Sequence, residues 1–270
     1  STVQDGVILG NNLYIAVSKS NTIEVVNKNT LVSVVQIVPT PAQGNTPRDI
    51  VTDGKYVYVS MYTGVVSRID PSTNTIDKTV AVGPNPEEMV IVNKSLYVTN
   101  SDGNNYNAGY ANGKSVSKIS LSDFVEEKKI AVGLNPTKIT ADALGNVLVL
   151  CMGDYSATPA TVWKINAEDE ATSMNIPATI MDIKDNSLYV INAPYGAPSI
   201  TYTVYNTSSG AVEKENFVSA PVDAPAGIAV HSDGRIFITS YTLVGGFASY
   251  KTPGYVSEYS SDGTFVKKYD

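Results

Sequence analysis

Short apolar runs of four or five residues recur along this chain, separated by polar turn residues, and none extends into a helical stripe. The most regular of them read Leu13-Tyr14-Ile15-Ala16, Val57-Tyr58-Val59-Ser60, Leu96-Tyr97-Val98-Thr99, Val147-Leu148-Val149-Leu150, Leu188-Tyr189-Val190-Ile191 and Ile236-Phe237-Ile238-Thr239. Each is rich in β-branched and aromatic residues, as a buried strand requires. A second landmark accompanies them: Pro47, Pro86, Pro136, Pro177 and Pro225 step along the chain by 39, 50, 41 and 48 residues. Self-similarity at that period marks a repeat architecture.

Between prolines the order of signals is constant. After Pro86 comes a short apolar strand, Met89 to Val92, then a turn at Asn93-Lys94-Ser95 and the Leu96–Thr99 run. A variable loop leads to Ser115-Val116-Ser117-Lys118-Ile119, which alternates with period two, and a turn at 120–123 precedes a last strand over 124–132. The other third strands are expected at 22–26, 65–69, 161–165, 200–205 and 255–259. Four antiparallel strands per unit of this length make a β-propeller blade. An array of immunoglobulin-like domains is the alternative, but each of those needs about 100 residues. The expected fold is therefore all-β, a single propeller domain over 1–270 with blades at about 1–46, 47–85, 86–135, 136–176, 177–224 and 225–270. The innermost strands are expected to start at Val7, Ile50, Met89, Ile139, Ile180 and Ile228. Six units fit either a six-bladed ring or a seven-bladed ring with one blade missing from this chain. The abrupt start and stop favour the second.

Composition narrows the function. Charged residues make up 17% of the chain, the net charge is −7, and no basic run exists, which argues against nucleic acid or anionic lipid as partner. The single cysteine, Cys151, rules out an intrachain disulfide framework and reads as a small buried hydrophobe. No stretch is long and apolar enough to span a membrane as a helix. Low charge with abundant Asn, Ser, Thr and Tyr fits an exported or cell-surface bacterial protein, secreted or lipid-anchored upstream of Ser1.

In an up-and-down blade, loops alternate between two faces. Short turns such as 53–55 and 232–234 share one face, whereas the long insertions 101–114, 153–160, 193–199 and 242–254 all fall on the other. Function collects on loops held by a rigid scaffold, so the insertion face is the expected working surface. It carries Tyr106, Tyr110, Tyr155, Tyr195, Phe247 and Tyr250, with Tyr62 and Tyr241 at strand ends nearby. Such rings can wall a large, partly flat, mildly polar ligand, or they can pack their own loops. The pairs after each proline, with Gln4-Asp5 as their counterpart, are expected near the channel on the same face. Among them Arg48 and Lys138 are candidate ligand contacts, and Asp5, Asp49 and Glu88 are candidate oxygen ligands for Ca²⁺. The competing reading is an ordinary rim in which Arg48 and Lys138 balance the acids. Asp102-Gly103-Asn104-Asn105-Tyr106-Asn107 is only superficially a calcium loop, because Tyr106 takes a ligand position and no acid closes it. His231, the only histidine, falls in a short turn on the opposite face, so neither zinc catalysis nor a serine triad is expected.

Tyr97-Val98-Thr99-Asn100, together with the Gly-x-Asn-Pro return, resembles the YVTN-repeat, surface-layer-type propellers that include YncE-like proteins. The long Tyr-rich loops and the segment Tyr259-Ser260-Ser261-Asp262-Gly263-Thr264-Phe265 are similar to Bacteroidetes surface members, among them BtuG-like vitamin B12-binding lipoproteins. That resemblance implies a non-catalytic propeller that captures a corrinoid for an outer-membrane transporter, with no cofactor of its own. Two other classes remain open: a protein-interaction platform, and a channel-metal hydrolase of the lactonase kind.

Overall fold

Period-two alternation sends neighbouring side chains of a strand to opposite faces of its sheet, so a sheet between two others must be apolar on both. That is the pattern realised in the computed structural model, which describes residues 2–194 and 199–270. Six four-stranded antiparallel blades are arranged in a ring, a β-propeller with almost no helix. The strands of successive blades are Val3–Leu9, Asn12–Val17, Thr22–Asn27 and Ser33–Ile37; Pro47–Thr52, Val57–Met61, Val65–Asp70 and Thr75–Ala81; Pro86–Val92, Ser95–Asn100, Ser115–Ser120 and Val125–Ala131; Pro136–Ala141, Val147–Cys151, Thr161–Ile165 and Ala171–Ser173; Ile180–Lys184, Ser187–Asn192, Thr201–Asn206 and Val212–Glu215; and Pro225–Val230, Ile236–Ser240, Tyr255–Tyr259 and Phe265–Tyr269. The last insertion adds a small hairpin, Leu243–Val244 with Phe247–Ala248. Among the described residues helix is confined to 3-10 turns, and no helix is long and apolar enough to cross a membrane.

Innermost strands begin earlier than the apolar pattern suggests, at Val3, Pro47, Pro86, Pro136 and Pro225, and at Ile180 as expected. Proline lacks an N–H, but the first residue of a channel-side edge strand has no ladder bond to lose. A register shift follows immediately in five blades, between Val3 and Asp5, Pro47 and Ile50, Pro136 and Lys138, Pro225 and Gly227, and opposite Val98–Asn100 in the third blade. Such a bulge re-aims the side chains beside it. Here those are the pairs after the prolines.

The core lies between blades. One cluster joins the first and second blades around Tyr14, Ile23, Val59 and Ile69, and four more join the second to the third, the third to the fourth, the fourth to the fifth and the fifth to the sixth. The second strands of the second and fourth blades, Val57–Met61 and Val147–Cys151, are buried throughout. Each buried Val, Leu or Ile contributes about 1.5–3 kcal/mol, so these faces dominate stability. Cys151 is among them, and burial pushes its thiol up to about 12, which leaves it unreactive.

Candidate functional site

The bulged starts of the innermost strands surround one cavity of about 800 Å³ at the insertion face. Gln4, Asp5, Arg48, Asp49, Glu87, Glu88, Thr137, Lys138, Thr179, Ala226 and Gly227 line it, and Tyr62, Tyr110 and Tyr155 stand over it from the loops. Eight of the residues singled out in the sequence thus meet on one surface: Arg48, Lys138, Tyr62, Tyr110, Tyr155, Asp5, Asp49 and Glu88.

The acids act first as latches between blades. Asp5 Oδ2 accepts the Ile50 N–H at 3.3 Å, Asp49 Oδ2 accepts Met89 N–H at 2.7 Å, and Glu88 Oε2 accepts Ile139 N–H at 3.5 Å. In each case a carboxylate at one bulge satisfies the backbone donor just past the next. Between the fifth and sixth blades Asp182, which is not at a bulge, accepts the Val230 N–H at 2.7 Å. Among the described residues no three His, Cys, Asp or Glu side chains form a group that could hold a metal ion. Asp5, Asp49 and Glu88 therefore have a structural use that the calcium reading did not foresee.

Burial pushes the Asp49 carboxyl well above its usual range, and the nearby charges of Glu88 and Asp5 add to the shift. Asp49 also hydrogen-bonds Asp5, and a proton on Asp49 makes it the donor. Burial likewise raises Glu88 against the pull of Lys138, whose Nζ lies 3.0 Å away. Burial works to lower Lys138, but the Glu88 charge and hydrogen bond outweigh it and the ammonium is held above its usual value. Arg48 donates to Glu87 from Nε at 2.8 Å and reaches Gln4 at 3.3 Å. Its guanidinium also lies 5.0 Å from the centre of the Tyr62 ring, within cation–π range. The rim thus carries both signs of charge beside aromatic walls.

The loops that present the tyrosines are pinned by the Asn-Pro returns. Asn85 Nδ2 donates to the Tyr62 carbonyl at 2.9 Å while its Oδ1 accepts Asn104 N–H at 3.0 Å, which ties the second blade's loop to the third blade's insertion. Asn135 is buried and donates to the Gly153 carbonyl at 3.3 Å, at the root of the loop bearing Tyr155. Both asparagines have positive φ, a conformation Asn tolerates better than most residues. The glycines of the same returns make room: a Cβ on Gly83 would lie 2.4 Å from the Asn100 side chain, and one on Gly133 would lie 2.5 Å from Trp163 Nε1. The Asn of Tyr-Val-Thr-Asn and the Gly of Gly-x-Asn-Pro, separate landmarks in sequence, are in contact. Gly103 is needed for another reason, since its Cβ would meet the Tyr62 hydroxyl at 2.1 Å. Sequence reasoning passed over Asn85, Asn135 and Gly103, although the recurrence of Asn-Pro held the signal for the first two.

Tyr110 and Tyr155 form an edge-on pair, 6.2 Å between centroids, that bridges the third and fourth blades' insertions. Burial raises the Tyr155 phenol, with the Tyr110 hydroxyl adding to the shift. The remaining candidates lie elsewhere. Tyr241 and Tyr250 pair at 5.1 Å over a shallow hollow on the sixth blade. Tyr106, on the 3-10 turn Gly103–Ala108, and Phe247, on the small hairpin, face solvent. Tyr195 lies outside the described residues. The Asp102 carboxylate is occupied within its own loop, accepting from Asn112 N–H at 2.8 Å and Asn105 Nδ2 at 3.0 Å. His231 is exposed in its turn, 2.9 Å from Asp233. A second, more apolar hollow of about 710 Å³ adjoins the cavity between the fourth and fifth blades, and Tyr155 and Thr179 line both.

No family model and no curated protein sequence matches this chain. Solved structures do match in fold. The chain is similar to Kuenenia stuttgartiensis hydrazine synthase, with a TM-score of 0.71 and 15% identity over 96% of this chain and 76% of that one. It is also similar to the computationally designed Ika8 protein (TM-score 0.69, 12% identity, 100% of this chain and 74% of that one) and to the WD40 β-propeller domain of Doa1 (0.68, 10%, 98% and 81%). At these identities the likeness establishes the propeller fold and nothing about activity.

Proposed function

We propose that this chain is a non-catalytic, cell-surface propeller that captures a small molecule at the mouth of its channel for uptake by a membrane transporter. The observation that supports it is the convergence of Tyr62, Tyr110, Tyr155, Arg48 and Lys138 on one cavity of about 800 Å³. That volume falls in the range of about 300–1,000 Å³ typical of small-molecule sites. The adjoining apolar hollow extends the surface past Tyr155, so a ligand with a polar part and a broad, flat apolar part can use both. A corrinoid, the ligand implied by the resemblance to BtuG-like propellers, has that character. It would lie across the mouth on the tyrosine rings. Arg48 and Lys138, each already paired with a glutamate, would meet its polar edges.

Titration with cyanocobalamin tests the reading by heat and by visible absorbance. Binding is expected, and Tyr110→Ala with Tyr155→Ala should weaken it by about tenfold or more, since stacking on an aromatic ring contributes about 1–3 kcal/mol. No heat and no spectral change at high micromolar concentration would remove the corrinoid. A protein-interaction role has one observation of its own. Phe247 and Tyr250, at the last insertion, are 72% and 84% exposed, which suits contact with a partner such as the transporter. Pull-down with Phe247→Ser and Tyr250→Ser variants separates that role from ligand capture.

A further inference from the structure

The outer strand of each blade leaves one side of its backbone unpaired, and such an edge invites further strands unless charged side chains or extreme shortness protect it. Five of the six outer strands have that protection. Thr75–Ala81 carries Asp77 and Lys78, Val125–Ala131 carries two glutamates and two lysines, Val212–Glu215 has Lys214 between two glutamates, and Phe265–Tyr269 has Lys267 and Lys268. Ala171–Ser173 is only three residues long and follows Glu168, Asp169 and Glu170. The first blade's outer strand, Ser33–Ile37, has neither device, and no charged residue occurs anywhere from Asn29 to Pro47.

What this edge exposes instead is apolar: Leu31, Val32, Val34 and Val38 are 68%, 64%, 51% and 62% exposed. Among the described residues the backbone of Ser33–Ile37 bonds only inward, to Thr22–Asn27. Glu24, on that adjoining strand, is occupied by the Thr22 hydroxyl at 2.9 Å and the Gln36 amide at 2.7 Å. Leu31 is an independent sign. Its N–H donates to the Asn27 carbonyl in the turn before the strand, at a φ of +57° that disfavours leucine. The same turn in the second, third and fifth blades holds Asn74, Phe124 and Gly210, also at positive φ. Asn and Gly tolerate that conformation, and Phe124 is buried beside Tyr58, 5.7 Å between ring centroids. Leu31 has neither the tolerance nor the packing, and keeps a large apolar side chain in solvent on a strained backbone.

We propose that Ser33–Ile37 pairs antiparallel with the same strand of a second copy of this chain, joining two first blades into one continuous sheet. An open backbone edge takes an extended strand. Charge singles out a second copy as its source. The chain carries a net charge of −7, which disfavours self-association in general, and self-pairing at Val125–Ala131 or Phe265–Tyr269 would crowd lysines together. At Ser33–Ile37 no charge opposes it. A two-fold axis through Val35 sets Val32 of each copy against Val38 of the other, and Val34 against Gln36. The contact is isologous, so it consumes both edges and the assembly closes. Few residues take part, so association belongs in the micromolar rather than the nanomolar range. None of these residues lines the cavity, so pairing is independent of what the channel mouth captures.

Sedimentation velocity of the chain from about 1 to about 200 µM reads the association directly. A monomer–dimer equilibrium is expected, with amide exchange at 33–37 slowing as the dimer forms. Val34→Lys puts a charge on the edge and should weaken dimerisation about tenfold or more. Val212→Lys, the same change at a half-exposed valine on the fifth blade's outer strand, should leave it unaltered. Leu31→Gly relieves the turn backbone while removing apolar surface, so it should also weaken the dimer, and it keeps the test open where Val34→Lys disturbs folding. A chain that stays monomeric throughout overturns the proposal, including one whose edge takes up a strand from a different protein. So does a dimer that Val34→Lys and Leu31→Gly leave intact, or one whose exchange protection falls outside 33–37.

Discussion

Asp49 lies in the channel and Asp262 in a turn on the far face, and their two carboxylates shift in opposite directions. Burial drives Asp49 well above its ordinary range, and burial likewise raises Glu87, Glu88 and Asp182 around the same channel. Asp262 is held down to about 2 by the Ser260 hydroxyl and the Thr264 N–H, and Asp70 and Asp233 are lowered by similar turn bonds. Asp49 and Asp262 each accept a backbone N–H, from Met89 and Thr264. What differs is the solvent, since the channel removes water from the charge while the turn leaves it wet. The turn-face acids serve their own loops. The channel acids hold neighbouring blades together and sit beside the cavity, so changing them reaches both stability and binding.

The largest contrast should come from truncation. Asp49→Ala strands the Met89 N–H between two blades and is expected to cost about 3 kcal/mol, the upper end for an unsatisfied buried donor. Urea unfolding measures it. A loss below about 0.5 kcal/mol, the ordinary size of a surface change, would mean the latch is dispensable.

Glycines divide the same way. Gly133→Ala forces a methyl against Trp163 and Cys151 and should cost about 2 kcal/mol through overpacking. Gly54→Ala, in a turn with open space around it but a φ of +86°, should cost about 1 kcal/mol from backbone strain alone. Thermal melts of the pair check the order, and equal losses would show that crowding at the proline return is relieved by small movements.

Much of this division could be read before the structure. Period-two runs placed the third strands within a residue or so, and Thr161–Ile165 and Tyr255–Tyr259 at their observed bounds. Locating the insertions in one loop position needed only strand counting, and it led to the face where the cavity lies. The innermost strands were shortened because proline was treated as punctuation, although an edge strand can start on it. The latches were not legible, because a bulge decides where Asp5, Asp49 and Glu88 point and sequence does not reveal a bulge. Nor could the tyrosines be sorted. Tyr110 and Tyr106 share one insertion, yet the 3-10 turn within it sends one ring to the cavity and the other to solvent. The roles of Asn85 and Asn135 were hidden for a related reason: Asn before Pro is such a common turn signal that its side-chain bonds went unasked.

A subtler contrast is the dependence of stability on pH. Because folding raises the Asp49 pKa, the folded chain holds this proton more tightly than the unfolded chain. Its contribution is therefore fully present below the ordinary carboxylate value of about 4 and is lost as pH rises through the raised folded value. Glu87, Glu88 and Asp182 act in the same sense. Asp49→Asn keeps an oxygen for Met89 N–H and an amide donor toward Asp5, but has no proton to lose. It should flatten the decline in stability above about pH 4 and cost far less than Asp49→Ala. Unfolding free energies measured from acid to neutral pH test this, and an unchanged slope would shift the effect onto the glutamates.

The smallest effect belongs to Asp262 and has the opposite sign. Its Oδ1 accepts from Ser260 Oγ at 2.6 Å and from Thr264 N–H at 2.9 Å, both local to the turn. A lowered folded pKa means that the stabilisation is present above the ordinary value of about 4 and is lost as pH falls toward about 2. Asp262→Asn keeps the acceptor and leaves only the charge behind. At neutral pH it should leave the unfolding midpoint almost unchanged, and between pH 4 and 2 it should remove a small part of the acid sensitivity. The discriminating measurement is the double variant with Asp49→Asn. The sites lie in different blades and share no partner, so their effects should add, with one flattening the slope above pH 4 and the other the slope below it. Coupling between them would mean that the channel and the turn face do not titrate independently, and the division between latching and local acids would have to be redrawn.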